Sequence, residues 1–105
     1  MQILVQHQEF DNNTGEVIGF TDVAKVDVTD FINHGVNEQL EYAWRYTNNV
    51  MGSWSKKIGG DANDDVEVLC EREDGLGLRS SMIGDRMIVD GVTYKVAIAG
   101  FKEVA

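Results

Sequence analysis

Apolar and polar residues alternate with a period of two in several short segments of the chain, which is the pattern of half-buried β-strands. These segments are residues 2–8, 24–29 and 66–71. Asn and Gly at 11–15 predict a turn, and residues 17–20 are expected to form a short return strand. The pattern therefore predicts a sheet of short strands.

The C-terminal segment carries the most definite local signal. Asp90–Gly91 stands between two apolar runs, and Asp-Gly favours a two-residue type I′ turn. In that register Val89 faces Val92 and Met87 faces Tyr94. The sequence therefore predicts a C-terminal β-hairpin.

One main helix is predicted from an apolar stripe that repeats every 3.6 residues. The stripe consists of Val36, Leu40, Ala43, Trp44, Thr47 and Met51. Asn37 is the expected N-cap, Gly52 the expected end, and Trp44 the expected core anchor. One helix and several strands predict a single α+β domain, residues 1–105, with an antiparallel sheet whose Asp-Gly hairpin packs on the helix.

Composition narrows the classes of function. The net charge of −9 disfavours ordinary nucleic-acid binding, because an acidic surface repels phosphates. The single cysteine, Cys70, cannot form an intramolecular disulfide, so a reducing cytoplasmic location is expected. No apolar run approaches the roughly 20 residues of a membrane span, and no membrane partner is expected.

An acidic block at 61–74 contains seven carboxylates and one arginine. Its first part resembles a calcium loop, but Val66 and Arg72 occupy the positions of the required Gly and Glu, so no metal is predicted. The block is either a solvated face or an imitation of DNA phosphates. Its candidate contact residues are Asp61, Asp64 and Asp65.

No catalytic motif is present. His7 and His34 lie in no metal-ligand spacing, and Ser80–Ser81 lacks the frame of a nucleophile elbow. No phosphate-binding or dinucleotide fingerprint occurs. The chain is therefore expected to be neither an enzyme nor a cofactor-binding protein.

Rings and positive charges concentrate between residues 42 and 57. The candidate binding residues there are Tyr42, Arg45, Trp54, Lys56 and Lys57. Such a set suits a protein-binding patch, or a stacking surface for nucleotides or single strands if the side chains are exposed together. The alternative is that about half of the rings pack in the core.

The C-terminal part resembles the YodL-like domain of small proteins from phages, plasmids and Firmicutes. The resemblance rests on Arg79–Ser81, Gly84–Asp85, Asp90–Gly91, Tyr94–Val96 and Gly100–Val104. The preceding segments 42–49 and 52–55 are similar to uncharacterised phage proteins with the same ending, and together the match covers roughly residues 40–104. Met82–Ile83 and Ala97–Ala99 depart from the family pattern, which weakens any shared active site. The resemblance implies a phage or mobile-element origin and no established activity.

The expected function is that of a small phage-type accessory protein that binds and modulates a host protein, such as a defence or replication component. The alternatives are an acidic DNA mimic, a binder of nucleotides or single-stranded nucleic acid, and a structural component of the virion.

Overall fold

The computed structural model describes residues 1–104; Ala105, the last residue of the predicted domain, lies outside them. Within that range the chain forms eight strands, one short 3-10 turn (Thr29–Phe31) and one α-helix, α1 (Val36–Arg45). The strands are β1 (Gln2–Phe10), β2 (Val17–Asp27), β3 (Gly52–Ser53), β4 (Ile58–Gly59), β5 (Val66–Val68), β6 (Arg86–Val89), β7 (Val92–Val96) and β8 (Phe101–Glu103).

Six of these strands form one sheet in the order β5-β2-β1-β6-β7-β8, and each neighbouring pair is antiparallel. Strands β3 and β4 form a separate two-stranded ribbon. The α+β class with an antiparallel sheet is therefore confirmed. No helix among the described residues is long and apolar enough to cross a membrane.

The C-terminal hairpin has the register that the sequence predicts, with Val89 opposite Val92 and Met87 opposite Tyr94. Asp90 and Gly91 have φ angles of 51° and 75°. Positive φ at both central positions is the requirement of a type I′ turn, which Asp and Gly meet at low cost.

The first hairpin is longer than predicted, because residues 17–20 and 24–27 belong to one strand of 11 residues, β2. Val5 pairs with Ala24, whereas Gln6 pairs with Asp22, so Val23 is an extra residue in the ladder. A bulge of this kind breaks the period of two. The alternation of buried and exposed side chains therefore shifts by one residue at Val23, inside a continuous strand.

Helix α1 differs from the prediction at both ends. Its N-cap is Gly35 rather than Asn37, and it ends at Arg45 rather than near Gly52. The helix stops because side chains take over its last carbonyls: Thr47 Oγ1 donates to the carbonyl of Ala43. Such local bonds compete with further helical hydrogen bonds.

The core lies between one face of the sheet and α1, which packs against β1. Trp54 is fully buried there, whereas Trp44 is 41% exposed. The prediction that Trp44 anchors the core is therefore wrong. Leu40 and Ala43 supply the buried face of the helix, and Trp44 lies at its margin.

Trp54→Ala is expected to lower the free energy of unfolding by about 3–5 kcal/mol, because the substitution leaves a large cavity in a packed core. Trp44→Ala is the matched control, and its expected loss is about 1 kcal/mol or less. Urea unfolding followed by circular dichroism measures both. Equal losses would contradict this assignment of the core anchor.

Candidate functional site

Trp54 was predicted to contact a partner, but its ring is enclosed by the core. Its indole Nε1–H donates to the carbonyl of Arg79 at 2.9 Å. A fully buried ring that has its polar atom satisfied is not available for stacking. The joint exposure of Arg45, Trp54, Lys56 and Lys57 that a nucleic-acid binder needs is not met.

Tyr42 and Arg45 hold the acidic block against the helix. The Tyr42 hydroxyl donates to Asp65 Oδ2 at 2.6 Å and accepts from Asn63 Nδ2 at 2.9 Å. Burial, together with Asp65, raises the pKa of Tyr42 to about 12. Arg45 forms an ion pair with Asp61 at 3.0 Å. Both side chains are thus engaged within the fold.

Asp61 was predicted to lie on an acidic surface, but it is only 1% exposed. Its Oδ2 accepts from the backbone N–H groups of Val50 and Met51 at 3.0 and 2.9 Å. Burial alone would raise the pKa of Asp61, but these N–H groups and Arg45 outweigh it and lower the pKa. Asp61 therefore organises the chain after α1, and that part of the prediction is wrong.

The other residues predicted to contact a partner, in the 42–57 segment and in the acidic block, do not lie together. Lys56 and Asp64 are exposed, and Asp65 is half-buried against the helix. Lys57 Nζ donates to the carbonyl of Val66 at 2.7 Å, on the outer side of β5. The structure therefore does not bring the predicted binding residues together as one surface.

A second buried carboxylate, Asp85, joins three segments of the chain. It accepts from the backbone N–H groups of Gln8 at 2.9 Å and Met82 at 2.7 Å. Arg79 donates to both of its oxygens, at 2.7 and 2.9 Å. Burial would raise the pKa of Asp85, but Arg79 and the two N–H groups lower it. The sequence did not predict this role for Asp85, since Gly84–Asp85 stood out only as part of the YodL-like resemblance.

His7, Ser81 and Thr47 form a buried chain of hydrogen bonds next to Asp85. Thr47 Oγ1 donates its only proton to the carbonyl of Ala43, so the Ser81 hydroxyl, 2.8 Å away, must donate to Thr47. His7 Nε2, at 3.0 Å from Ser81 Oγ, must then carry a hydrogen and donate to Ser81. Burial lowers the pKa of His7 to about 4, partly offset by Asp85, so the ring is neutral at pH 7.

That direction of donation does not activate Ser81 as a nucleophile. A general base must accept the serine proton, and His7 Nε2 instead donates. The N–H of Met82, which follows the serine as an oxyanion donor would, is occupied by Asp85. The cluster of His7, Ser81 and Thr47 therefore acts in the structure as a brace between sheet and helix.

The thiol of Cys70 lies outside this cluster. Burial raises its pKa, with a further contribution from Glu9.

An apolar groove of about 790 Å³ opens between α1, the loop 81–83 that precedes β6, and the segment 96–101 at the end of β7. Its polar lining residues are Glu41, Arg45 and Ser81, and its apolar ones are Trp44, Met82, Ile83, Val96, Ala97, Ile98 and Phe101. We name it the Trp44–Ile98 groove. Ile83 is 57% and Ile98 92% exposed. Sequence analysis missed this surface; the available signals were the apolar pair Met82–Ile83 in a loop and Ile98 beside a glycine turn.

The two edges of the six-stranded sheet differ. On β5, the backbone groups of Val66 and Val68 point away from β2. Those of Val66 are occupied, because its N–H donates to the carbonyl of Asn63 and its carbonyl accepts from Lys57, whereas those of Val68 have no partner among residues 1–104. On β8, Val104 N–H donates to Thr93 of β7. Because hydrogen-bonded positions alternate along an antiparallel pair, the backbone groups of Phe101 and Glu103 point away from β7. These groups have no partner among residues 1–104.

The sheet face opposite the core carries a row of cations. Arg86 pairs with Lys95, and Lys95 pairs with Lys102, so three positive side chains lie side by side across β6, β7 and β8. Lys95 and Lys102 are exposed and line a hollow of about 440 Å³ beside the 97–99 segment. The Arg86 guanidinium lies over the Phe20 ring, 4.0 Å from its centroid.

Comparisons with protein-family models, with curated proteins and with solved structures gave no match. The YodL-like resemblance therefore stays a prediction. Among the described residues, no group of three or more His, Cys, Asp or Glu side chains is arranged to hold a metal ion.

His7 makes stability depend on pH. The unfolded chain takes up the His7 proton near pH 6.5, whereas the folded protein does so only near pH 4, so acidification through this window favours unfolding. The loss is expected to reach up to about 3 kcal/mol at pH 4. His7→Gln, which keeps a donor for Ser81 but does not titrate, should flatten the dependence between pH 6.5 and 5.

Urea midpoints of both proteins across that range provide the measurement. A wild-type slope that His7→Gln leaves unchanged would assign the pH dependence to other groups.

Proposed function

We propose that this chain is a small non-enzymatic protein-binding domain whose partner occupies the Trp44–Ile98 groove. The observation that carries the proposal is the contiguous exposure of Trp44, Ile83 and Ile98 around one opening. Large exposed apolar patches are uncommon on monomeric proteins and mark contact surfaces. Tryptophan is also the residue most often found at the energetic centre of an interface.

The chemistry of the groove suits protein side chains better than a small polar ligand. Small-molecule pockets combine apolar walls with several convergent polar groups. Here Ser81 is bound to Thr47 and His7, and Arg45 is paired with Asp61, so Glu41 is the one charged residue of the lining that has no side-chain partner among residues 1–104. Apolar side chains of a partner would therefore find matching walls and few polar groups left to satisfy.

In this proposal the protein is a phage-type accessory factor that acts in the host cytoplasm. It binds and modulates a host protein, for instance a component of defence or replication. The YodL-like resemblance supports the origin, and the absence of an activated nucleophile at Ser81 supports a role in binding. The proposal also takes the packing of the Asp90–Gly91 hairpin on α1 as the scaffold of the groove, because α1 and Val96 of β7 both line it.

The rival functions have less support. A stacking surface for nucleotides or single strands loses its main ring with the burial of Trp54. A DNA mimic loses the carboxylate of Asp61, and that of Asp65 is bonded to Tyr42. A structural role in the virion would require stable self-association.

Trp44→Ala combined with Ile98→Ser is expected to reduce capture of the partner from host lysate by about tenfold or more, because truncating a central tryptophan commonly removes over 1 kcal/mol of binding. Capture would be measured by affinity pull-down after nuclease treatment and quantified by mass spectrometry. Ile18→Ser is the matched control, since Ile18 is also exposed, at 66%, but lies on the first hairpin.

The double variant must keep the wild-type circular dichroism spectrum, so that loss of capture reports on the surface. Undiminished capture by a folded Trp44→Ala/Ile98→Ser protein would remove the groove as the partner site. Capture that nuclease abolishes would instead indicate a nucleic-acid partner.

A further inference from the structure

The open edge at β8 lies between two different surfaces. Phe101, on the core side of β8, lines the Trp44–Ile98 groove. Lys102, on the opposite face, lies beside Lys95. An extended segment placed alongside β8 would therefore direct alternate side chains toward the side of Phe101, which also carries Glu103, and toward the cationic side.

The cationic row is costly for the protein alone. Like charges directly opposite each other on neighbouring strands destabilise a sheet. Arg86, Lys95 and Lys102 nevertheless occupy adjacent positions, in a chain that has 9 basic residues and a net charge of −9. The concentration of positive charge next to the open edge favours an acidic occupant.

A second copy of this chain fits the edge poorly. Antiparallel pairing of two β8 strands through the outward groups of Phe101 and Glu103 would place Lys102 directly opposite Lys102 of the other copy. Edge lysines are a common protection against such self-pairing. The same lysine that would repel a second copy would attract the carboxylates of an acidic partner.

We propose that an extended segment of the protein partner adds to the sheet along β8 and alternates apolar with acidic residues. Its backbone pairs with the free N–H and C=O groups of Phe101 and Glu103. Its acidic side chains lie against Lys102 and Lys95, and its apolar side chains extend the wall of the groove beside Phe101. The inference rests on the proposed function, because it names the kind of segment that the binding domain recognises.

In strand addition, affinity and specificity come from different parts of the bound segment. Main-chain hydrogen bonds supply sequence-independent affinity, and the alternating side chains select the partner. At the β5 end the backbone groups of Val66 are already occupied by Lys57 and Asn63, which leaves only Val68 open there. The β8 edge, with both Phe101 and Glu103 open, is therefore better suited to strand addition.

The test uses a seven-residue acetylated peptide of alternating valine and glutamate, titrated into the isotopically labelled full chain and followed by NMR. We expect the Phe101 and Glu103 amides to shift and to gain protection from hydrogen exchange. Glu103→Pro removes an outward N–H while keeping the ladder to β7, and should weaken binding by about tenfold.

Matched variants separate backbone from charge effects. Glu103→Thr removes the same side chain but keeps the N–H, and should bind like wild type. Lys102→Glu should weaken binding of the glutamate peptide, whereas Lys56→Glu, a charge reversal away from β8, should not. A valine–lysine peptide of equal length should not bind.

Several results would overturn the inference: no binding of the glutamate peptide, equal binding of both peptides, or affinity unaffected by Glu103→Pro and Lys102→Glu. Shifts confined to Trp44 and Ile98, without protection of Phe101 and Glu103, would also overturn it but would leave the groove as a binding site. Loss of partner capture on Trp44→Ala/Ile98→Ser judges the proposed function separately.

Discussion

One buried carboxylate, Asp85, joins the parts of this molecule that form its proposed binding surface. Its carboxylate accepts hydrogen bonds from the backbone N–H groups of Gln8 in β1 and of Met82 in the loop before β6, and from the guanidinium of Arg79. A buried charge is tolerated only when it is fully paired, and Asp85 receives bonds on both oxygens. The chain from His7 through Ser81 to Thr47 extends this connection to the end of α1. These buried hydrogen bonds therefore fix the position of the loop whose Met82 and Ile83 side chains line the groove.

Asp61 acts in a similar way on the other side of the helix. By accepting the N–H groups of Val50 and Met51 and pairing with Arg45, it turns the chain sharply after α1. This turn leads into the ribbon that brings Trp54 into the core. Two carboxylates that look in the sequence like part of a solvated acidic surface or a turn thus organise the interior, and the apolar Trp44 is left at the surface.

The elements governed by local physics could be predicted from the sequence. The Asp90–Gly91 turn set the register of its hairpin, and the alternation of Ile3 and Val5 indicated a strand with one buried face. The elements decided by long-range pairing could not. Trp54 is buried and Trp44 is exposed, which is the reverse of the prediction. Nothing in the local sequence indicates that the Trp54 indole donates to the carbonyl of Arg79, 25 positions away. The open edge at β8 is invisible without the strand order, since it depends on which strands are last in the sheet.

The surface that results has an apolar groove, one unpaired strand edge and a short row of cations, in contact with one another around the turn at 97–100. The most direct test of partner binding at the groove and the β8 edge is site-specific photo-crosslinking in cell lysate with benzoylphenylalanine placed at position 98, 103 or 64. We expect positions 98 and 103 to crosslink to one segment of the same partner protein and position 64, in the acidic block, not to crosslink to it. Crosslinking from position 64 but not from position 98 would contradict this expectation.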